Sequence, residues 1–296
     1  MAINHVVIVV SYNDIESTKE FINNSKKLNA IDKIIIVDNC STNELYSEIT
    51  SYISEMNLSS KVECIQSEKN GGYSYGNNFG IKYAIKKFNP SIISISNADV
   101  ILNDEALNKC IDKLQSNNEI GFIAPTMKTP KKDTIKSYWV IPTYSMLLKR
   151  NFIVFLNLIR RFEKFSFEEK DGMIFVGCLN GSFFMGKTDT FRNIGFLDED
   201  VFLYDEESIL GCKIRNAGLC NAVVKDVSYI HNHKGSIEFN ISSKKKRFEI
   251  LHKSHVVYLT KYHQINYFQL AVFNLTYHIG LGMYLFGEQV KSFIKR

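Results

Sequence analysis

Ile93-Ser94-Ile95-Ser96-Asn97-Ala98-Asp99-Val100 is a β-branched run that arrives at a polar tip and ends in a carboxylate. Ligands of α/β proteins bind outside the carboxyl ends of the sheet strands. A strand here therefore carries Asp99 to the place where a divalent cation and a diphosphate meet. Aspartate oxygens suit Mg2+ or Mn2+, which keep several waters and share phosphate oxygens. The same residues also describe an ordinary strand closed by a turn, because Asn and Asp are common turn residues.

Upstream, Val6–Val10, Ile34–Val37 and Val62–Ile65 are further short apolar runs, separated by helix-length segments. The first ends at Ser11-Tyr12-Asn13-Asp14, and Asp14 or Ser17 caps a helix to about Leu28. The second ends at Asp38-Asn39-Cys40-Ser41-Thr42, and Ser41 or Thr42 caps a helix to about Met56. A helix over about Ser74–Phe88 leads into the strand Ile92–Ile95. Strands alternating with helices predict an α/β fold, a parallel sheet with helices on both faces. Between the third strand and its helix lies Asn70-Gly71-Gly72-Tyr73-Ser74-Tyr75-Gly76-Asn77-Asn78. Glycines there admit a ligand close to the backbone, or form a plain turn. No Gly-Lys-Ser/Thr follows, which excludes a P-loop. A dinucleotide fingerprint would follow the first strand, where the chain has no glycine.

Downstream, Asp104 opens a helix to about Leu114, and Ile120–Ala124 is a further strand. Met146–Ile159 is apolar but interrupted by Lys149 and Arg150, too short and too charged to span a bilayer. It is expected as an amphipathic helix over the site mouth or on a membrane surface, or as core packing. Asn180–Lys187 is a glycine-flanked strand, and Asp205-Glu206-Glu207 opens a helix that runs to Asn216 and stops near Gly218. Acidic residues also favour a helix N-terminus without any catalytic role. Ala222–Ile230 forms a last strand and delivers His231-Asn232-His233. From Ser242 the tail is helical in pattern, and Gln264–Gly287 lacks Asp, Glu, Lys and Arg. Its Gln264, Asn266, Gln269, Asn274 and His278 make it a poor bilayer span. An interfacial or packed helix is expected instead.

The net charge of +5 on 296 residues does not suggest a nucleic-acid binder. Lys244-Lys245-Lys246-Arg247 and the pairs Lys149-Arg150 and Arg160-Arg161 are solvated faces or meet anionic lipid. The six cysteines form no C-x-x-C pair, and Val6–Val10 is too short and lacks the basic leader of a signal peptide. Reduced thiols in the cytoplasm are expected.

In this order the motifs resemble those of the family-two glycosyltransferases, which have the GT-A fold. The resemblance covers about residues 4–240. It rests on Val9-Val10-Ser11-Tyr12-Asn13, Val37-Asp38-Asn39, the 70–78 loop, Asn97-Ala98-Asp99 and Gly181-Ser182-Phe183-Phe184. It continues through Gly195-Phe196-Leu197-Asp198-Glu199 and Tyr204-Asp205-Glu206-Glu207 to His231. The chain is most similar to single-addition transferases of bacterial capsule, O-antigen and rhamnan synthesis. It lacks the Gln-x-x-Arg-Trp motif of processive synthases.

The resemblance implies a GT-A catalytic domain at 1–240 and a C-terminal helical extension at 241–296 of a kind that can associate with a membrane. It implies a metal-dependent, inverting hexosyltransferase using Mn2+ or Mg2+. Such an enzyme moves one sugar from a UDP- or TDP-sugar to a glycan or lipid-linked acceptor, in the cytoplasm at the inner face of the cell membrane. No nucleic-acid partner is implied. Ser11, Asn13, Asp38, Asn70, Gly71, Asn77 and Asn97 fall at nucleotide-sugar-binding positions, with Asp38 matching the residue that reads the base. Asp99 matches the metal ligand. Asn97 stands where the family's Asp-x-Asp has its first acid. His231 matches the histidine that closes over the metal and diphosphate, with His233 as the alternative. Glu207 matches the general base. Glu206 beside it leaves open which carboxylate reaches the acceptor, and Ile209 replaces a further family acid. Two other classes compete: a nucleotidyltransferase, disfavoured by Ser11-Tyr12-Asn13-Asp14 where a basic glycine-rich loop is needed, and a non-catalytic sugar-nucleotide-binding scaffold.

Overall fold

A computed structural model describes residues 4–151, 165–232 and 243–294, with side chains to 287. The later part of Met146–Ile159, the pair Arg160-Arg161, and His233 lie outside the described residues. The first half alternates as expected: β1 (His5–Ser11), α1 (Ile15–Ser25), β2 (Lys33–Asp38), α2 (Leu45–Glu55), β3 (Val62–Gln66), α3 (Gly72–Phe88) and β4 (Ile92–Asn97). The short β5 (Val100–Ile101) follows, then α4 (Asp104–Ser116), β6 (Ile120–Lys128), β7 (Thr134–Ile135), β8 (Tyr138–Trp139) and α5 (Tyr144–Asn151). Next come β9 (Glu168–Lys170), β10 (Met173–Val176), β11 (Cys178–Leu179), β12 (Phe183–Lys187), α6 (Thr188–Asn193), α7 (Glu206–Asn216) and β13 (Cys220–His231). The C-terminal part is α8 (Lys244–Val257), a π-helical turn Tyr258–Tyr262, and α9 (Tyr267–Ile294).

The main sheet has the order β3-β2-β1-β4-β12-β6-β13-β10-β9. β3, β2, β1 and β4 are parallel, and so are β6 and β13, but β12 lies antiparallel between β4 and β6. The sheet is thus mainly parallel on the side that carries Asp99. Successive strand residues point to opposite faces. Val7, Val9, Ile34 and Ile36 pack with Phe21, Leu45 and Leu107 on one face. Val6, Ile8, Ile35 and Ile93 pack with Ile81, Phe122 and Ile214 on the other.

Local capping agrees with expectation at one helix and departs from it at another. The Asp14 side chain accepts from Ser17 N at 3.0 Å and caps α1. Ser41 and Thr42 do not cap α2, which starts only at Leu45. Ser41 Oγ instead accepts from Asn13 N at 2.9 Å, and Asn13 Oδ1 accepts from Thr42 N at 2.9 Å. These two residues join the loops after β1 and β2 to each other.

Ser94, in the middle of β4, faces a buried histidine. His5 Nδ1 donates to Ala30 O at 2.6 Å, and Nε2 accepts from Ser94 Oγ at 2.7 Å. This geometry uses the neutral ring, and burial pushes the His5 pKa down from 6.5 to about 4. A depressed histidine leaves the folded state with fewer bound protons than the unfolded state, so stability falls as pH drops from about 6.5 to about 4. The loss attributable to His5 is on the order of 3 kcal/mol across that window. Urea unfolding of wild type and His5→Asn at pH 7 and pH 4.5 measures it. The variant is expected to be less stable at pH 7 and to lose less on acidification.

The C-terminal segment packs against α5 and α7. Tyr258, Leu259 and Phe273 are fully buried with Leu147, Val201, Ile209 and Cys212. The rest of α9 is less covered: Tyr267, Phe268 and Phe286 are 87%, 75% and 68% exposed. Tyr267–Gly287 is long and apolar enough to cross a membrane by length and composition alone. The six cysteines form no disulfide.

Candidate active site

A cavity of about 870 Å³ opens at the carboxyl ends of β1 and β4. One wall is made by Ser11, Asn39, Asn70 and Gly72, and the strand tip contributes Asn97 and Asp99. Gly181, Glu206, Glu207 and His231 also line it, as do Lys246, Ile250 and Lys253 of α8.

Four residues expected at the nucleotide site do not line this cavity, each for a local reason. Asn13 is in the left-handed region (φ 57°), with its side chain bonded to Thr42. Asp38 is fully buried, accepting from Ser41 N at 2.9 Å and from Gln66 Nε2 at 2.8 Å. Its carboxylate holds the turn after β2. The open side of Gly71 is covered by the Tyr75 ring. Asn77 is buried within α3 and donates to Tyr73 O at 2.9 Å. Asn39, not singled out by sequence, instead faces the cavity and donates to Asn70 Oδ1 at 3.1 Å and Gly72 O at 3.0 Å.

Gly72 has a role other than close approach of a ligand. It sits at φ 87°, and a Cβ there would lie 2.0 Å from Phe202 O. Tyr73 N donates to the same carbonyl at 3.1 Å. The loop therefore brings the start of α3 onto the segment that leads to Glu206.

Asp99 and His231 meet although 132 residues separate them. β5 pairs antiparallel with the end of β13, setting Val100 opposite His231. Asn232 N donates to Asp99 O at 2.9 Å, and the His231 Nε2–Asp99 Oδ1 distance is 3.1 Å. Both side chains are buried at the cavity edge. A carboxylate oxygen and an imidazole nitrogen side by side fit a divalent ion that takes its other ligands from diphosphate and water. Among the described residues no group of three or more His, Cys, Asp or Glu is placed to hold a metal ion, and Asp99 with His231 is the pair that would hold one here.

Glu206 and Glu207 begin α7 and differ in environment. Glu207 Oε1 accepts from Gly181 N at 3.2 Å, whereas Glu206 Oε2 is buried without a partner. Burial raises both carboxyl pKa values. That of Glu206 rises well above the usual range, pushed further by the charge of Glu207, and backbone donors hold Glu207 back. Two adjacent carboxyls share protons as a pair. Burial thus favours the protonated form of both carboxyls, and more strongly that of Glu206. Tyr73, which sequence reasoning quoted only as part of the loop, donates its hydroxyl to Gly181 O at 2.6 Å. A Cβ on Gly181 would lie 3.1 Å from Glu207 Oε1 and 3.2 Å from the Tyr73 hydroxyl, so only glycine leaves this contact undisturbed. Its sequence signal was the glycine of Gly181-Ser182-Phe183-Phe184.

This sheet, with an Asp–His pair at a strand tip and paired carboxylates across one cavity, is the architecture of GT-A glycosyltransferases. The profile described as "Glycosyl transferase family 2" matches residues 6–184, and the chain belongs to that family. The low-salt glycan biosynthesis hexosyltransferase Agl10 of Haloferax volcanii is 26% identical over 237 residues, covering 76% of this chain and 66% of that protein. The mannosyltransferase PcManGT of Pyrobaculum calidifontis, solved with GDP-Man and Mn2+, superposes with TM-score 0.57 at 16% identity. It covers 86% of this chain and 63% of its own. GalNAc-T7, solved with UDP, GalNAc and Mn2+, superposes with TM-score 0.59 at 15% identity, covering 78% of this chain and 44% of its own. The chain thus spans just under two thirds of the length of Agl10 and of PcManGT.

Proposed function

We propose that the protein is a metal-dependent, inverting hexosyltransferase. It moves one sugar from a UDP- or TDP-sugar onto a glycan or lipid-linked acceptor in bacterial surface polysaccharide synthesis. One observation carries the reading: Asp99–His231 and Glu206–Glu207 face the same cavity from separate strands and helices. The hexosyltransferase relative, and the nucleotide and Mn2+ complexes of proteins with this fold, support it.

In this reading Ser11, Asn70 and Asn97 bind the nucleotide-sugar. Asp99 and His231 hold Mn2+ or Mg2+, and the bound ion supplies positive charge to the departing diphosphate. Glu207 takes the proton of an acceptor hydroxyl as its oxygen bonds to the anomeric carbon from the face opposite the diphosphate. The bond from anomeric carbon to diphosphate oxygen breaks in the same step, which inverts the configuration. Protonated Glu206 lowers the local negative charge without competing as a base.

A thermal-shift panel of UDP, TDP, GDP and CMP, each with Mn2+, Mg2+ or EDTA, tests the donor site. A ligand that binds only the native state stabilises it, by about 2.7 kcal/mol at one hundred times Kd. A metal-dependent rise of about 5 °C or more with UDP or TDP is expected. No shift with any nucleotide would contradict a donor site formed by this chain alone.

Residues 241–296 are proposed as the extension that places the enzyme at the inner face of the membrane. Its support is the exposed aromatic surface of α9 beside the basic run Lys244–Arg247. Flotation with vesicles containing anionic lipid should carry the full chain upward. Flotation equal to that with neutral vesicles in high salt removes the electrostatic part of this reading.

A further inference from the structure

The helix that carries the two glutamates starts in an unusual way. Asp205 occupies the position before α7, where an aspartate normally caps by accepting backbone N–H bonds. Here its side chain makes no cap bond, and its backbone is left-handed (φ 63°). Tyr204 before it is left-handed as well (φ 72°). Two successive non-glycine residues in this region persist only where surrounding structure holds them.

What holds them comes from α8, about fifty residues further along the chain. The Asp205 carboxylate accepts from His255 Nδ1, and both residues are 8% exposed. One position earlier, Ser254 Oγ donates to Leu203 O at 2.6 Å. Two neighbouring residues of α8 therefore grip both sides of the turn. The His255 ring is seated edge-on against Phe273 of α9, at 6.1 Å between centroids. On its other side the same segment is tied to α3 by the bond from Tyr73 N to Phe202 O.

We propose that His255, with Ser254, is a positioning residue for Glu206 and Glu207. By drawing Asp205 away from the helix end, it fixes the left-handed turn that sets Glu207 against Gly181 and both glutamates along the cavity. The C-terminal segment is then part of the catalytic apparatus in addition to any contact with a membrane. The catalytic consequence rests on Glu207 being the base, while the positioning itself does not.

Hydrogen–deuterium exchange of the full chain reads the positioning without an activity assay. In His255→Ala the amides of residues 203–209 should exchange at least tenfold faster, with β1 and β4 unchanged. In His255→Asn, whose amide donates from nearly the same place as Nδ1, protection should largely return. Ser254→Ala should give a smaller change in the same peptide. Unchanged exchange at 203–209 in His255→Ala overturns the proposal, as does equal loss of protection throughout the chain in both His255 variants. UDP release from a panel of UDP-hexoses supplies the second readout, with Glu207→Gln in parallel. His255→Ala should lower kcat at least tenfold with donor KM within about twofold, and His255→Asn should restore most of it. If Glu207→Gln stays active while the 203–209 amides still loosen in His255→Ala, the positioning stands and the base assignment fails.

Discussion

Glu207→Gln is expected to lower kcat by about 10²- to 10⁴-fold, the usual contribution of a positioned general base. The substitution keeps the size of the side chain, and its amide oxygen still accepts from Gly181 N, a contact of 3.2 Å in the wild type. Folding and donor KM should therefore change little. Glu206→Gln should behave differently. Its carboxyl is the one that burial and the Glu207 charge push further toward the protonated form, which an amide mimics. Replacing one neutral group by another leaves the charge around Glu207 unchanged, so activity and the acidic limb of the kcat profile should stay close to those of the wild type. Burial raises the Glu207 pKa, so that limb should lie above the usual carboxylate range in the wild type, with activity rising as pH passes through it. A Glu206→Gln variant as inactive as Glu207→Gln, both folded, would show that the two carboxyls act as one unit.

Asp99→Ala should be nearly as damaging, roughly 10³-fold in kcat/KM, by analogy with loss of one preorganised electrostatic group. The reason is different. Asp99 touches His231 and backs the end of β13, so its removal takes away a carboxylate ligand and the contact that orients the imidazole. The expected signature is loss of the metal-dependent part of the nucleotide thermal shift, and isothermal titration with Mn2+ in the presence of UDP reads the same loss. Asp99→Asn keeps the hydrogen bond to His231 but not the charge, and it should recover folding stability without recovering metal affinity. Retention of the metal-dependent shift in Asp99→Ala would place the ion elsewhere.

Much of this arrangement was legible from residues alone. The β-branched runs at Val6, Ile34, Val62 and Ile92 mark the parallel half of the sheet. A carboxylate at the end of the fourth strand lies at the ligand-binding edge by topology. The run Asp205-Glu206-Glu207 stood out as acids opening a helix.

The rest depended on contacts between distant segments. Nothing local to Phe183–Lys187 signals that it runs antiparallel between β4 and β6. The pairing of β5 with β13 that brings His231 to Asp99 joins two residues of β5 to the end of a strand far along the chain. The family resemblance gave Asp38 the role of reading the base, and what sequence did not show is that its carboxylate also accepts from Ser41 N and Gln66 Nε2. Gly72 read as room for a ligand, but the Phe202 carbonyl occupies that room. The bond from His255 to Asp205 was invisible because histidine in a helical tail carries no pattern of its own.

The measurement that most directly tests the central claim is anomalous scattering at the manganese edge from crystals soaked in MnCl2 with UDP or TDP. The expected result is one peak at Asp99 and His231, with the diphosphate beside it and the ribose toward Ser11 and Asn70. The sugar-facing side of the diphosphate should then point to Glu207. A nucleotide bound with its diphosphate remote from Asp99, or a manganese peak at another set of residues, would contradict the assignment of this cavity as the glycosyl-transfer site.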